Sequence, residues 1–318
     1  MTKPALSKLQ GAIATLRKVP PNMSAPAFDV IACGSLHLDI MVYAPSFPRP
    51  DETTVGTRWA MQCGGKGGNQ AVMAARAGAR VAMIGKVGSD DFGVRLRSNL
   101  ADAAVDSRAV LVDETVGSGM STAIVRDDGD YGAVIVSGAN LRIEPTVAEA
   151  AWRDLGGAGV LILQNEIPEQ VNLSVARAAR ANGAIVIMNA APARSMSPAL
   201  RECIDVLVVN RVEAEMLSGE VVHDDQVALT VIAKLCIGTK SVIVTLGGDG
   251  LIVKGADSEA VKIAPKRVKV VSSHGAGDCF CGALAAKLAQ GASLIQAAEF
   301  ANAEAARHVS GQGEFEES

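Results

Sequence analysis

The sequence predicts an α/β fold: a doubly wound, mostly parallel sheet flanked by helices, with a small β-sheet lid formed by two insertions. Three observations lead there. Short, wholly apolar runs rich in β-branched residues alternate with helical stretches, as expected of parallel strands buried on both faces. Two pairs of short strands interrupt that rhythm. Glycine is abundant (32 residues) and aromatics make up only 3% of the 318-residue chain, which suits helices packed closely on a sheet.

In chain order, residues 1–27 contain no acidic residue, and Leu6, Leu9, Ile13 and Leu16 recur at helical spacing ahead of Pro20-Pro21. This predicts an N-terminal amphipathic helix over 3–18 that docks on the main domain, residues 28–318. Phe28 to Cys33 reads as the first central strand, followed by Gly34-Ser35 and then His37 and Asp39. Lid strands are expected within about 38–62, around a Pro-rich turn, and within about 120–137, around Asp127-Asp128-Gly129-Asp130. Between them Gly64-Gly65-Lys66-Gly67-Gly68-Asn69 forms a glycine loop feeding a helix over 71–77. Further strands are expected near 81–87, 105–111, 159–163, 184–189, 205–209, 241–246 and 250–254, and helices near 90–103, 145–153, 168–182, 211–218 and 224–236.

Composition excludes several functions. A net charge of −4 leaves no basic surface for nucleic acid, and no apolar run reaches the roughly 18 residues that span a bilayer. The six cysteines are scattered without a C-x-x-C pair, and the four histidines lack metal-ligand spacing. This predicts reduced thiols and a cytoplasmic protein. The glycine loop fits neither G-x-x-x-x-G-K-[ST] nor G-x-G-x-x-G, so neither a P-loop nor a dinucleotide fingerprint is present.

Chemistry-bearing residues collect where strands end. Asp39, Asn165-Glu166, Asn189, Asn210 with Glu213, and Thr245-Leu246-Gly247-Gly248 all follow predicted strands. Open α/β sheets bind ligands beyond those carboxyl ends. Ser272-Ser273-His274-Gly275-Ala276-Gly277-Asp278 then opens onto an apolar helix. Its small residues allow backbone N–H groups to converge on an anion, and Asp278 stands beside that point.

The two glycine-rich runs, Gly64 to Asn69 and Ser272 to Ala283, resemble the paired signatures of the ribokinase-like (PfkB-type) carbohydrate kinases, within them the ribokinases. Gly34-Ser35 to Asp39, Ser137 to Asn140, Asn189 to Arg194, Asn210-x-x-Glu213 and Thr245 to Gly250 extend the resemblance over roughly residues 28–313. It implies ATP-dependent phosphorylation of the primary hydroxyl of a small sugar, a pentose such as ribose. Asp278 would be the general base and the N–H groups of Gly275, Ala276, Gly277 and Asp278 the anion hole. His37, Asp39, Gly65, Lys66, Asn69 and Glu166 would face the sugar. Asn210, Thr245, Gly247, Gly250 and Asn302 would border the nucleotide, and Asn210 and Glu213 would hold Mg²⁺ through water. The lid would exclude water and pair two copies into a homodimer.

Three positions depart from that pattern. His37 replaces an Asn common in ribokinases. Ser272 replaces an Asp that helps hold an activating K⁺ in many relatives, leaving backbone carbonyls near His274 and in 308–313 as ligands. The sequence ends before the family's usual last helix, whose apolar footing the 3–18 helix would cover. Two alternatives stand beside the sugar kinase: a nucleoside kinase of the same fold, and a non-catalytic sugar-binding protein.

Overall fold

Strand β1 (Phe28–Cys33) explains the unbroken apolar runs. Val30 and Ala32 enter the core on one face of the sheet, and Ile31 and Cys33 the core on the other. Side chains alternate between faces along a strand, so a sheet covered on both sides needs apolar residues at every position. Strand β8 (Ala158–Gln164) repeats the pattern, with Val160 and Ile162 opposed to Leu161 and Leu163. The computed structural model describes residues 26–126, 130–223, 225–255 and 258–311. The expected 3–18 helix and residues 127–129 of the expected lid turn lie outside the described residues.

The other strands of the main sheet are β4 (Val81–Gly88), β5 (Val105–Asp113), β9 (Ile185–Asn189), β10 (Val206–Asn210), β11 (Ser241–Thr245), β12 (Leu251–Gly255) and β13 (Val261–Ile263). Together the nine run in the order β13-β12-β11-β10-β9-β8-β1-β4-β5. All neighbours are parallel until β12 and β13, which pair antiparallel at one edge. Connections leave β1 toward β4 and β5 on one side and toward β8 to β11 on the other. The order therefore reverses between β1 and β8, which opens a crevice at their carboxyl ends.

Helices α1 (Lys66–Arg76), α2 (Asp91–Asp102), α8 (Ala276–Ala289) and α9 (Leu294–Val309) cover one face. The opposite face carries α3 (Pro145–Asp154), α4 (Glu169–Ala181), α5 (Pro198–Arg201), α6 (Arg211–Ser218) and α7 (Asp225–Leu235). Helix α8 is apolar on all sides because it is sandwiched: Cys279 to Ala286 are all buried. Among the described residues no helix is long and apolar enough to cross a membrane.

The lid is a separate sheet of β2 (His37–Tyr43), β3 (Arg58–Gly64), β6 (Gly119–Val125) and β7 (Tyr131–Val136), in the order β3-β2-β6-β7. Its two strand pairs are antiparallel, as expected, but they join through a parallel β2–β6 pair, so the lid is mixed. A second difference concerns the glycine loop. Helix α1 starts at Lys66 instead of Ala71, so Gly67 and Gly68 lie inside its first turn. A Cβ on Gly67 would come within 2.6 Å of the Ser35 nitrogen, so these glycines serve close packing of α1 on the end of β1. Strand β13 and helices α5 and α9 are additional to the sequence expectation; the first two, of three and four residues, are too short to carry a periodicity.

Candidate active site

Helix α8 opens on Gly275, whose left-handed φ of 73° turns the chain into the helix. Asp278 sits in the first turn, where the helix dipole favours a carboxylate, and is only 8% exposed. Its Oδ2 accepts a hydrogen bond from Asn69 Nδ2 (3.1 Å) and its Oδ1 one from Gln70 Nε2 (2.9 Å). Burial pushes this carboxyl above the usual carboxylate range, although the Lys66 charge and the two amides oppose it. The contact depends on Gly282. A Cβ there would lie 2.6 Å from the Gln70 carbonyl oxygen and 2.7 Å from the Ala74 nitrogen, so glycine lets α8 rest directly on α1.

Across the β1/β8 crevice, Glu166 Oε2 accepts hydrogen bonds from the Ser35 hydroxyl and from the Lys66 backbone N–H (2.9 Å). His37 Nδ1 lies 3.8 Å from the same oxygen. His37 is 4% exposed, and burial holds its pKa below the ordinary value against the opposing charges of Glu166 and Asp39. Asp39, on the lid, accepts from the Ser121 hydroxyl of β6. Gly65 has no room for a side chain: its φ is 85°, and a Cβ would meet the His37 nitrogen at 2.6 Å. The Ser137–Asn140 motif has a scaffolding role, because Asn140 clasps Leu36 with Oδ1 accepting its N–H (2.9 Å) and Nδ2 donating to its carbonyl (2.8 Å).

Three cavities meet at the 273–278 turn. One of about 390 Å³ reaches beneath the lid and is lined by Tyr43, Gln62, Asn69, Gly275, Asp278 and His308. A central one of about 150 Å³ is bounded by Lys66, Asn210, Glu213, Thr245 and Gly275 to Asp278. The third, of about 570 Å³, is lined by Thr245, Gly247, Gly250, Gly277, Phe280 and Asn302. Gly277 borders the second and third, and a Cβ there would meet nothing within 4 Å, so its backbone faces open space.

The expected residues thus divide. Asn69 and Asp278 touch; His37, Gly65 and Glu166 form one cluster, with Asp39 two residues along the same lid strand from His37. Lys66, expected beside the sugar, lines the central cavity; burial lowers its pKa, but Asp278, Glu166 and Glu213 together hold it above the ordinary value. Asn210 and Glu213 form a capping box at the start of α6: Asn210 Oδ1 accepts from the Glu213 N–H (2.8 Å) and Glu213 Oε2 from the Asn210 N–H (2.9 Å). Gly250 is required by the sheet edge, since a Cβ would fall 2.2 Å from the Ile263 carbonyl oxygen. Asn302 spends its amide on the Ala264 carbonyl (2.9 Å).

The sequence profile of the pfkB family carbohydrate kinase matches residues 27–315. The chain belongs to the pfkB family of carbohydrate kinases. Among its relatives, this pfkB kinase is 32% identical to ribokinase of Haemophilus influenzae over 281 residues, 88% of this chain and 92% of the relative. It is 34% identical to ribokinase of Bacillus subtilis over 282 residues, again 88% and 92% of the two chains. Its fold matches the structure of Arabidopsis thaliana ribokinase complexed with ribose and ATP, with a TM-score of 0.82 at 27% identity, covering 90% of this chain and 93% of that one. The sugar-kinase class and the expected fold, a helix-flanked, mostly parallel sheet with a small lid, are those of the family.

Sequence reasoning missed three polar residues of this pfkB kinase. Gln70, Gln164 and Ser121 are hydrogen-bonded respectively to Asp278, to Gln70 and to Asp39. Gln70 carried one signal: a polar residue directly after the glycine run, on the helix face that becomes fully buried.

Proposed function

We propose that this chain transfers the γ-phosphoryl group of ATP to the primary hydroxyl of a pentose such as ribose. The observation that carries the reading is the placement of Asp278. A buried carboxylate, held by two amides, stands on the wall common to the under-lid cavity and the central cavity. A hydroxyl arriving under the lid would meet that base, and a phosphoryl group in the central cavity would meet the backbone N–H groups of Gly275 to Asp278. Removal of the hydroxyl proton by Asp278 makes the oxygen nucleophilic, and the helix N-terminus stabilises charge on the transferring group. Lys66 faces the phosphoryl side and adds a fixed positive charge. His37, Asp39, Gly65, Asn69 and Glu166 would orient the sugar; Thr245, Gly247, Gly250 and Asn302 would border the nucleotide.

Mg²⁺ would neutralise phosphate charge here. Glu213 has one carboxylate oxygen outside the capping box, and Asn210 has its oxygen engaged, a donor set that suits contact through water better than a direct cage. K⁺ is not required in this reading. The His274 carbonyl already accepts from His308 Nε2 (2.9 Å), and the Val309 carbonyl accepts from the Val271 N–H (2.7 Å). The six free thiols suit a cytoplasmic setting, and the lid would support a homodimer.

A free sugar fits better than a nucleoside, because the buried His37 ring offers no open face on which a base would stack. The deciding experiment is a coupled ADP-release screen over pentoses, hexoses and nucleosides with and without K⁺. Turnover is expected with ribose or another pentose in both salts; turnover of nucleosides alone would reject the sugar reading.

A further inference from the structure

We propose that Gln70 is the positioning residue of the catalytic carboxylate, locking Asp278 Oδ1 so that Oδ2 alone is presented to the sugar hydroxyl. The inference rests on Asp278 being the base. Gln70 is fully buried, and its orientation is dictated by a chain of polarity that starts at a backbone carbonyl. Asn189 Nδ2 faces the Val208 carbonyl (3.3 Å), which only accepts, so the Asn189 oxygen must turn toward Gln70. Gln70 Nε2 then donates one hydrogen to Asn189 Oδ1 (3.0 Å) and the other to Asp278 Oδ1 (2.9 Å). Its own oxygen receives Gln164 Nε2 (2.9 Å).

A flip of the Gln70 amide would set oxygen against two oxygens and nitrogen against nitrogen, so the arrangement has one stable state. The other carboxylate oxygen is met by Asn69, a half-buried residue lining the under-lid cavity. Asn69 lies where the sugar enters and Gln70 behind it. Consecutive residues of one helix thus divide the work: Gln70 fixes the base from the core side, and Asn69 meets Oδ2 on the side from which the hydroxyl comes. A neutral amide steadies the carboxylate without the large loss of basicity that a cation would impose.

The test compares the full-length parent with Gln70→Glu, nearly isosteric, and Gln70→Leu, each checked by thermal melting, on the sugar that the parent phosphorylates best. Both variants are expected to lose about 100-fold in kcat, with KM for sugar and ATP within about twofold, since uniform binding is untouched. The acid limb of the kcat–pH profile is expected to move to higher pH in both, because the ionised base loses a donor, and further in Gln70→Glu, where a second carboxylate faces it. If Gln70→Leu fails to fold, Gln70→Glu decides. Variants that fold with unchanged kcat and acid limb, or that only melt earlier, would overturn the assignment while leaving the kinase reading intact. A parent inert toward every sugar and nucleoside would instead remove the base reading, and this inference with it.

Discussion

At the scale of single residues, the proposed base is Asp278. Its carboxyl is raised by burial, and a general base acts only when ionised. Activity should therefore climb with pH through that raised value, and the acid limb of kcat should lie above the ordinary carboxylate range. A limb at or below that range would contradict the assigned environment. Changing Asp278 to Asn removes the proton acceptor and keeps the shape. The expected result is a loss of about 10²- to 10⁴-fold in kcat, with sugar affinity by calorimetry nearly retained. Equal ADP release by both forms would show that the base lies elsewhere.

At the scale of elements, the site is made by one helix contact. Gly282 lets α8 lie on α1, and that contact sets Asp278 against Asn69 and Gln70. A Gly282→Ala change forces a methyl against the backbone of α1. It should cost about 1–3 kcal/mol in stability, read as a lower urea midpoint, and kcat should fall with it. The sequence made the strands legible, because burial on both faces leaves unmistakable apolar runs such as Val160 to Leu163. It also placed Glu166, Asn210 and Thr245 at strand ends, where the crevice opens; Asp39, expected at such an end, lies instead inside lid strand β2. The amide chain was not legible: Gln70 meets Gln164, Asn189 and Asp278 at separations of 94, 119 and 208 residues, which only the folded sheet brings together. The start of α1 was also hidden, because glycines that serve close packing read as loop.

At the scale of the molecule, the sheet reversal between β1 and β8 provides the crevice and the lid covers it. Val134, Ile135 and Val136 on the lid's edge strand β7 are between 53% and 64% exposed, and Trp59 on the opposite edge strand is 65% exposed. Edge strands of this kind are templates for pairing. If two lids pair, sedimentation velocity at micromolar concentration should give a dimer, and Ile135→Lys should return it to a monomer with the fold unchanged. A parent that sediments as a monomer would reject the homodimer.

The single residue between β3 and α1 has a mechanical result. With only Gly65 joining them, and that residue confined against Leu36 and His37, the lid strand β3 has little slack where it enters the helix carrying Asn69 and Gln70. Strand and helix are thus joined almost without a hinge, and the helix end of that joint is hydrogen-bonded to Asp278. If a sugar binds beneath the lid as proposed, any shift of β3 would pass through Gly65 to Asn69 and Gln70, and so to the carboxylate they hold.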